Sequence, residues 1–308
     1  MKDDRFPARF RGGLGLPRAA FGSTAGPFGP IAKCSEKPPA DPLSPRRGTA
    51  RRDPGEAMNQ PLLSPDNPLV KRWRSLHDAR GRREAGAFLV EGRRTIDGFL
   101  AAGWRPEAIL VRLGEELPGT WPEDLAQPIS ARVAERLSQA STASGFLAVF
   151  PIPVPPPLDL QAGGLVLAEV GDPGNAGTLL RSAAAFGARQ VVLLGGAEAW
   201  GAKTVQASAG ALALLHVHQL PAADGLAPLA GGAPCCALVV SGGVAPAALP
   251  AGARWLVVGS EAHGLRADWL AACSERLTLP MPGPVESLNA AVAGSLACYL
   301  LAMRQGGG

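Results

Sequence analysis

The segment Gly171-Asp172-Pro173-Gly174-Asn175-Ala176-Gly177-Thr178-Leu179-Leu180-Arg181-Ser182 carries the residues of this chain best suited to chemistry. It follows an apolar run, Leu165 to Val170, that reads as a buried strand, and it opens a helix. A strand that delivers a Gly/Asn turn to a helix start leaves unpaired backbone N–H groups facing a crevice, where α/β proteins hold polar ligands. Asn175 and Arg181 are the two groups there that can hydrogen-bond a polar substrate. Taken alone, the segment fits equally well a tight turn shaped by its glycines, with Arg181 a solvated helix residue.

Two later segments share its setting at the end of a strand. Val257-Val258-Gly259-Ser260-Glu261-Ala262-His263-Gly264-Leu265 follows the strand 254–258. Leu279-Pro280-Met281-Pro282-Gly283-Pro284-Val285-Glu286-Ser287-Leu288-Asn289 leads into the last helix, with Ser287 placed to cap it. Strand C-termini of a parallel sheet share one edge, so three such loops can converge on one crevice. A Pro/Gly-rich loop also keeps backbone groups that a helix or strand would have consumed, which suits reading an adenine edge. Glu261 alone reads as a surface carboxylate, and His263 has no Asp or Glu at a spacing that makes a triad. His216 and His218 share one face of a strand, with no third ligand in the pattern, so no metal is expected. Gly259 and Gly264 are spaced like the outer glycines of a P-loop, but Leu265-Arg266 stands where Lys-Ser/Thr belongs. A GxGxxG dinucleotide fingerprint after a strand is missing as well, which argues against a nucleotide-dependent oxidoreductase.

The elements that must position these groups fall into two units. Leu69, Val70, Trp73 and Leu76 follow helical spacing, and Lys71, Arg72, Arg74, Arg80, Arg82 and Arg83 crowd the same stretch. Strands at 88–91, 107–111 and 146–150, with helices at 95–102 and 133–137, complete a small α/β unit over 58–150. A Pro-rich linker spans 151–162. In the second unit, 163–308, strands at 165–170, 190–194, 236–241, 254–258 and 275–279 alternate with helices near 177–187, 202–209, 266–273 and 287–303. That alternation predicts a mostly parallel sheet with both faces covered. Residues 1–57 carry Pro, Gly and Arg without periodicity and read as a disordered tail. Translation beginning at Met58 would explain that tract; a basic RNA-tethering arm is the alternative.

Composition is permissive. A net charge of +4 fits a nucleic-acid partner without requiring one. The five cysteines form no CxxC pair, which points to small buried hydrophobes in a reducing cytoplasm. Leu288 to Met303 is too short and too interrupted by Asn289 and Ser295 for a membrane span.

Taken together, the three loops resemble the SpoU/TrmH family of RNA 2′-O-ribose methyltransferases, within the SPOUT superfamily. The first family motif, Asn followed six positions on by Arg and then a small-residue helix ending Phe-Gly, matches Asn175, Arg181 and Ala183 to Gly187. The second, Gly-x-Glu-x-x-Gly-Leu, matches Gly259, Glu261, Gly264 and Leu265. The third, Pro-Met-x-Gly and then Ser-Leu-Asn, matches Pro280, Met281, Gly283, Ser287, Leu288 and Asn289. Lys203 to Gly210 is similar to a further Lys-x-x-x-x-Ser-x-Gly stretch of the family, and 67–92 resembles its ribosomal-protein-like substrate-binding domain.

The resemblance implies an α/β fold with a trefoil knot at its C-terminus and S-adenosyl-L-methionine as cofactor. It implies cofactor contacts at Gly259, Gly264, Leu279, Met281 and Leu288. It assigns the catalytic role to Arg181, as base or as electrostatic stabiliser, with Asn175, Glu261, Ser287 and Asn289 orienting Arg181 or the ribose. RNA contacts fall to Lys71, Arg72, Arg74, Arg80, Arg82 and Arg83. The expected partner is RNA, rRNA of the large subunit before tRNA, and the expected assembly is a homodimer through the C-terminal domain. A non-catalytic RNA-binding or ribosome-assembly protein on the same scaffold is the competing reading.

Overall fold

The computed structural model describes residues 60–305, apart from 141 and 253. The tail reading for 1–57, the start at Met58 and Cys34 lie outside the described residues.

The first unit begins with α1 (Pro68–Ser75), capped by Asn67, whose Oδ1 accepts from Leu69 N at 2.8 Å, and α2 (Ala79–Ala85). Then follow β1 (Ala87–Glu91), α3 (Arg93–Ala101), β2 (Ala108–Arg112), β3 (Ala126–Ile129), α4 (Ala131–Leu137) and β4 (Phe146–Pro151). The sheet order is β1-β4-β2-β3, antiparallel except for the β2–β3 pair. Strand β3 escapes the sequence pattern because Ala126-Gln127-Pro128-Ile129 is short and contains a proline. It is tolerated because β3 lies at the sheet edge, where a missing donor costs little.

The second unit runs β5 (Gly164–Ala168), α5 (Pro173–Ala185), β6 (Gln190–Leu194), α6 (Ala202–Ser208), β7 (His216–Leu220), β8 (Cys235–Leu238), β9 (Trp255–Val258), α7 (Ala267–Ala272), β10 (Glu275–Leu277) and α8 (Ala290–Gln305). Its six strands lie in the order β10-β8-β9-β5-β6-β7, every pair parallel. The expected parallel α/β sheet is therefore present, with β7, the strand of the histidine pair, at one edge. Among the described residues no helix is long and apolar enough to cross a membrane. The four described cysteines are buried, and burial pushes the Cys235 thiol up to about 11 and those of Cys236, Cys273 and Cys298 up to about 12. They pack as small apolar side chains.

The two units share one core. Phe88 and Phe150 of the first sheet and Phe99 of α3 pack in the same cluster as Trp200, Val205 and Leu212. The Phe88 and Trp200 rings sit 4.9 Å apart, and Trp104 Nε1 donates to Ala213 O at 3.0 Å. Backbones meet where Gly98 faces Gly210: a Cβ on Gly98 would stand 3.0 Å from the Gly210 Cα, so α3 reaches the second unit only because both residues lack side chains.

One residue of the expected RNA-contacting run belongs to this junction instead. Arg82 is 5% exposed, pairs with Glu198 through both nitrogens of its fork, and donates through Nη1 to Leu76 O at 2.7 Å and His77 O at 2.9 Å. A guanidinium so enclosed is a structural clamp and cannot reach a phosphate, which corrects the sequence expectation. Removing its carboxylate strands a buried charge, so Glu198→Ala should cost about 3 kcal/mol in urea unfolding. A loss below about 0.5 kcal/mol would show that the pair contributes nothing net.

Candidate active site

Three loops at the C-terminal edge of the six-stranded sheet build the site. Helix α5 starts at Pro173, four residues before the sequence pattern suggests, because Asp172 caps it and proline suits the first helical position. The Asp172 carboxylate accepts from Asn175 N at 2.7 Å. Asn175 therefore stands in the first helical turn rather than in a turn before it.

Glu261 joins the loops. It accepts from Gly171 N at 3.1 Å, from Asp172 N at 3.4 Å and from Asn175 Nδ2 at 2.8 Å. Asn289 Nδ2 donates in turn to Asn175 Oδ1 at 3.1 Å. Partial burial pushes the Glu261 carboxyl upward, but the hydrogen bonds from Asn175, Gly171 and Asp172 outweigh it and hold the group below its ordinary 4.5. A depressed folded-state pKa means stability present above the unfolded value and lost as pH falls through the folded one. The Asn175–Glu261 link should thus persist through pH 4.5 and break only below it, as a carboxyl NMR titration would read; a midpoint above 4.5 would contradict the network.

Asn289, and not Ser287, caps the last helix: its Oδ1 accepts from Ala291 N at 2.9 Å and Val292 N at 3.2 Å. The helix begins at Ala290, which leaves Ser287 three residues out, exposed in the loop. The asparagine is a stronger cap here because one side chain serves the helix and the Asn175 link together.

Beside this network lies a cavity of about 570 Å³. Gly259, Gly264, Leu279, Met281 and Leu288 line it, as do Glu261, Ser287 and Asn289. The residues Leu238 to Val240, at the end of β8, line it too. Sequence reasoning missed them because an apolar strand end carries no polar signal. The glycine loop is closed by Ser260 N to Gly264 O (3.1 Å) and Gly264 N to Ser260 O (2.9 Å). A Cβ on Gly259 would come within 2.5 Å of the Gly264 carbonyl carbon, so only glycine permits this turn.

Arg181 stands apart. Six residues separate it from Asn175, about 120° around a helix, and it lies outside the cavity lining. It is exposed on α5 next to the α5–α8 seam, where the Ser182 and Ser295 hydroxyls meet at 2.7 Å and the Phe186 and Tyr299 rings at 5.5 Å. Of the other expected RNA contacts, Lys71 pairs with Asp66 at 3.4 Å, Arg72 with Glu107 at 3.5 Å and Arg80 with Glu84 at 2.7 Å. Arg74 packs on His77. Arg83 is exposed and makes no ion pair among the described residues. Among those residues no group of three or more His, Cys, Asp or Glu could hold a metal ion.

Comparison with known proteins bears on this arrangement. Residues 164–299 match the SpoU rRNA Methylase family, and residues 67–148 match an MRM3-like substrate binding domain. The chain is 30% identical over 261 residues to an uncharacterized tRNA/rRNA methyltransferase of Synechocystis, covering 77% of this chain and 92% of that one. It is 29% identical over 250 residues to the 23S rRNA (guanosine(2553)-2′-O)-methyltransferase RlmP of Bacillus subtilis, covering 78% and 98%. The crystal structure of the SpoU methyltransferase AviRb from Streptomyces viridochromogenes with AdoMet superposes with a TM-score of 0.67 at 25% identity, over 79% of this chain and 99% of that one. With its two-part match, its relatives along most of their length and its three-loop site, the chain belongs to the SpoU rRNA methylase family.

Proposed function

We propose that this protein is an S-adenosylmethionine-dependent methyltransferase acting on a ribose 2′-hydroxyl of 23S rRNA, in the cytoplasm. The observation that carries the reading is the cavity beside the Glu261–Asn175–Asn289 network, at the C-terminal edge of a parallel sheet. Its residues fit the cofactor. About 570 Å³ accommodates a nucleoside with an amino-acid tail, Leu238, Leu279, Met281 and Leu288 offer apolar walls, and residues 278–289 lie outside helix and strand, with backbone groups to give.

When bound, S-adenosylmethionine supplies a methyl group on a sulfonium, already a strong electrophile. The chain's residues must then place the 2′-oxygen and stabilise its developing negative charge. Glu261 holds the Asn175 amide in place, which leaves the second Nδ2 hydrogen of Asn175 available to a ribose oxygen. The planar guanidinium of Arg181 steadies the 2′-oxygen and the adjacent phosphate while the hydroxyl proton leaves to water. Ser287, exposed at the cavity rim, orients the ribose alongside.

Arg181 reaches such a site most directly in a homodimer. Val292, Leu296, Tyr299 and Met303, spaced by four, three and four residues, form an exposed apolar stripe on α8. Two copies of that stripe packed together would carry Arg181 of one subunit toward the cavity of the other. A trefoil knot agrees with the order of the strands: after β9 the chain travels to the edge strand β10, and α8 then returns under β9, where Gly294 lies against Leu179 and Val258.

Titration calorimetry with S-adenosylmethionine, followed by methylation of unmodified 23S rRNA, tests the reading. Saturable binding and transfer to a ribose are expected. Binding of NAD in its place, or transfer to tRNA alone, would overturn it.

A further inference from the structure

A second concavity lies on the same sheet edge, and the reaction as described leaves it unused. It encloses about 710 Å³ between α2, the Pro-rich segment after β4 and the C-terminal ends of β6 and β7. Ile152, Pro153, Pro155 and Trp200 give it apolar walls, while Arg83 and Gln219 supply polar groups. Its charge is set by elimination. Glu198 is neutralised by Arg82, and burial, with a smaller effect of His216, holds the His218 imidazole below 6.5, so it is uncharged at neutral pH. Of the six cations that the sequence grouped as RNA contacts, Arg74 and Arg83 pair with no carboxylate among the described residues, and of these two only Arg83 lines the cleft. The Arg82 clamp holds this wall rigid against the loop that follows β6.

The location matters as much as the chemistry. In the strand order β9-β5-β6-β7, the cofactor cavity sits at β9 and the second concavity at β6 and β7. At about 4.8 Å per strand step they lie about 10–15 Å apart. The loop from Glu169 to Asp172 connects them: Glu169 N donates to Leu194 O at 3.0 Å on one side, and Gly171 N to Glu261 on the other. Glu169 holds a φ of 56°, a left-handed backbone rare outside glycine, so this loop is fixed in a costly shape between the two sites.

We propose that this cleft seats a nucleotide of single-stranded RNA flanking the methylated ribose, its base against Ile152, Pro153 and Pro155 and its phosphate on Arg83. The inference rests on the RNA methyltransferase reading above. The cleft exceeds the cavity assigned to the cofactor, so its size admits a whole nucleotide. Apolar walls with a lone cation match a base and its phosphate, and single-stranded segments are the parts of RNA whose bases are available to such surfaces.

The test uses the full-length protein with S-adenosylmethionine and unmodified 23S rRNA. Arg83→Gln should raise the RNA KM about tenfold and lower the salt dependence of RNA binding by about one counterion, with kcat at saturating RNA and cofactor affinity unchanged. Pro155→Trp, which fills the cleft from an exposed segment, should raise KM likewise. Arg105→Gln, on a surface ion pair elsewhere, should not. RNA carrying 4-thiouridine next to the target should crosslink to residues 152–155. Wild-type KM and salt slope in both cleft variants would overturn the proposal while leaving the methyltransferase reading intact. A wild-type protein that transfers no methyl group to RNA would overturn both.

Discussion

Arg181→Ala should lose methyl transfer by about 10³-fold while S-adenosylmethionine affinity stays within about twofold. The separation follows from geometry. Arg181 lies outside the cavity lining and enters no hydrogen bond of the Glu261–Asn175–Asn289 network, so its removal leaves the cofactor's walls standing. In the proposed reaction what disappears is a cation beside the 2′-oxygen, and a preorganised charge of that kind acts on the transition state more than on either ligand. Arg181→Lys keeps the charge but not the planar fork, so it should recover only part of the rate. Single-turnover kinetics with calorimetry reads both quantities. Loss of cofactor affinity in parallel with rate would show that Arg181 shapes the fold instead.

The second large effect concerns the last helix. Leu296→Arg places a charge in the middle of the exposed stripe Val292–Leu296–Tyr299–Met303 without touching the buried face, where Ala291, Ala297, Cys298 and Leu301 pack. Sedimentation should show a dimer for the wild-type chain and a monomer for the variant. The monomer should keep its fold and lose activity about a hundredfold, because a site completed across an interface loses its positioning when the interface opens. An active monomer would place Arg181 at its own subunit's site.

The apolar runs at 165–168, 191–194 and 255–258 made the parallel sheet legible, since strands buried on both faces write themselves as continuous apolar stretches rich in Val and Leu. The three loops were legible only as a set: glycine, asparagine and proline at any one strand end can simply shape a turn, and the motifs gain meaning because three of them fall on the same edge of a parallel sheet. What the pattern could not convey was partnership. Arg82 and Arg83 are adjacent and alike in sequence, yet one is clamped to Glu198, 116 residues away, and the other faces a cleft. Ser287 and Asn289 are both good caps, and the choice fell to Asn289, which alone among the two bonds Asn175, 114 residues earlier. Contacts between residues so far apart in the chain leave no periodicity to read. The start of α5 was missed for a local reason, because Asp172-Pro173-Gly174 resembles a turn while its aspartate and proline begin a helix.

This chain is proposed to methylate a ribose of 23S rRNA. Mapping of 2′-O-methyl nucleotides across the RNA of a strain lacking the gene tests it most directly. One 2′-O-methyl mark should vanish from 23S rRNA and return with the wild-type gene but not with Arg181→Ala. Intact 23S rRNA together with a missing tRNA mark, or no change in any RNA, would contradict it.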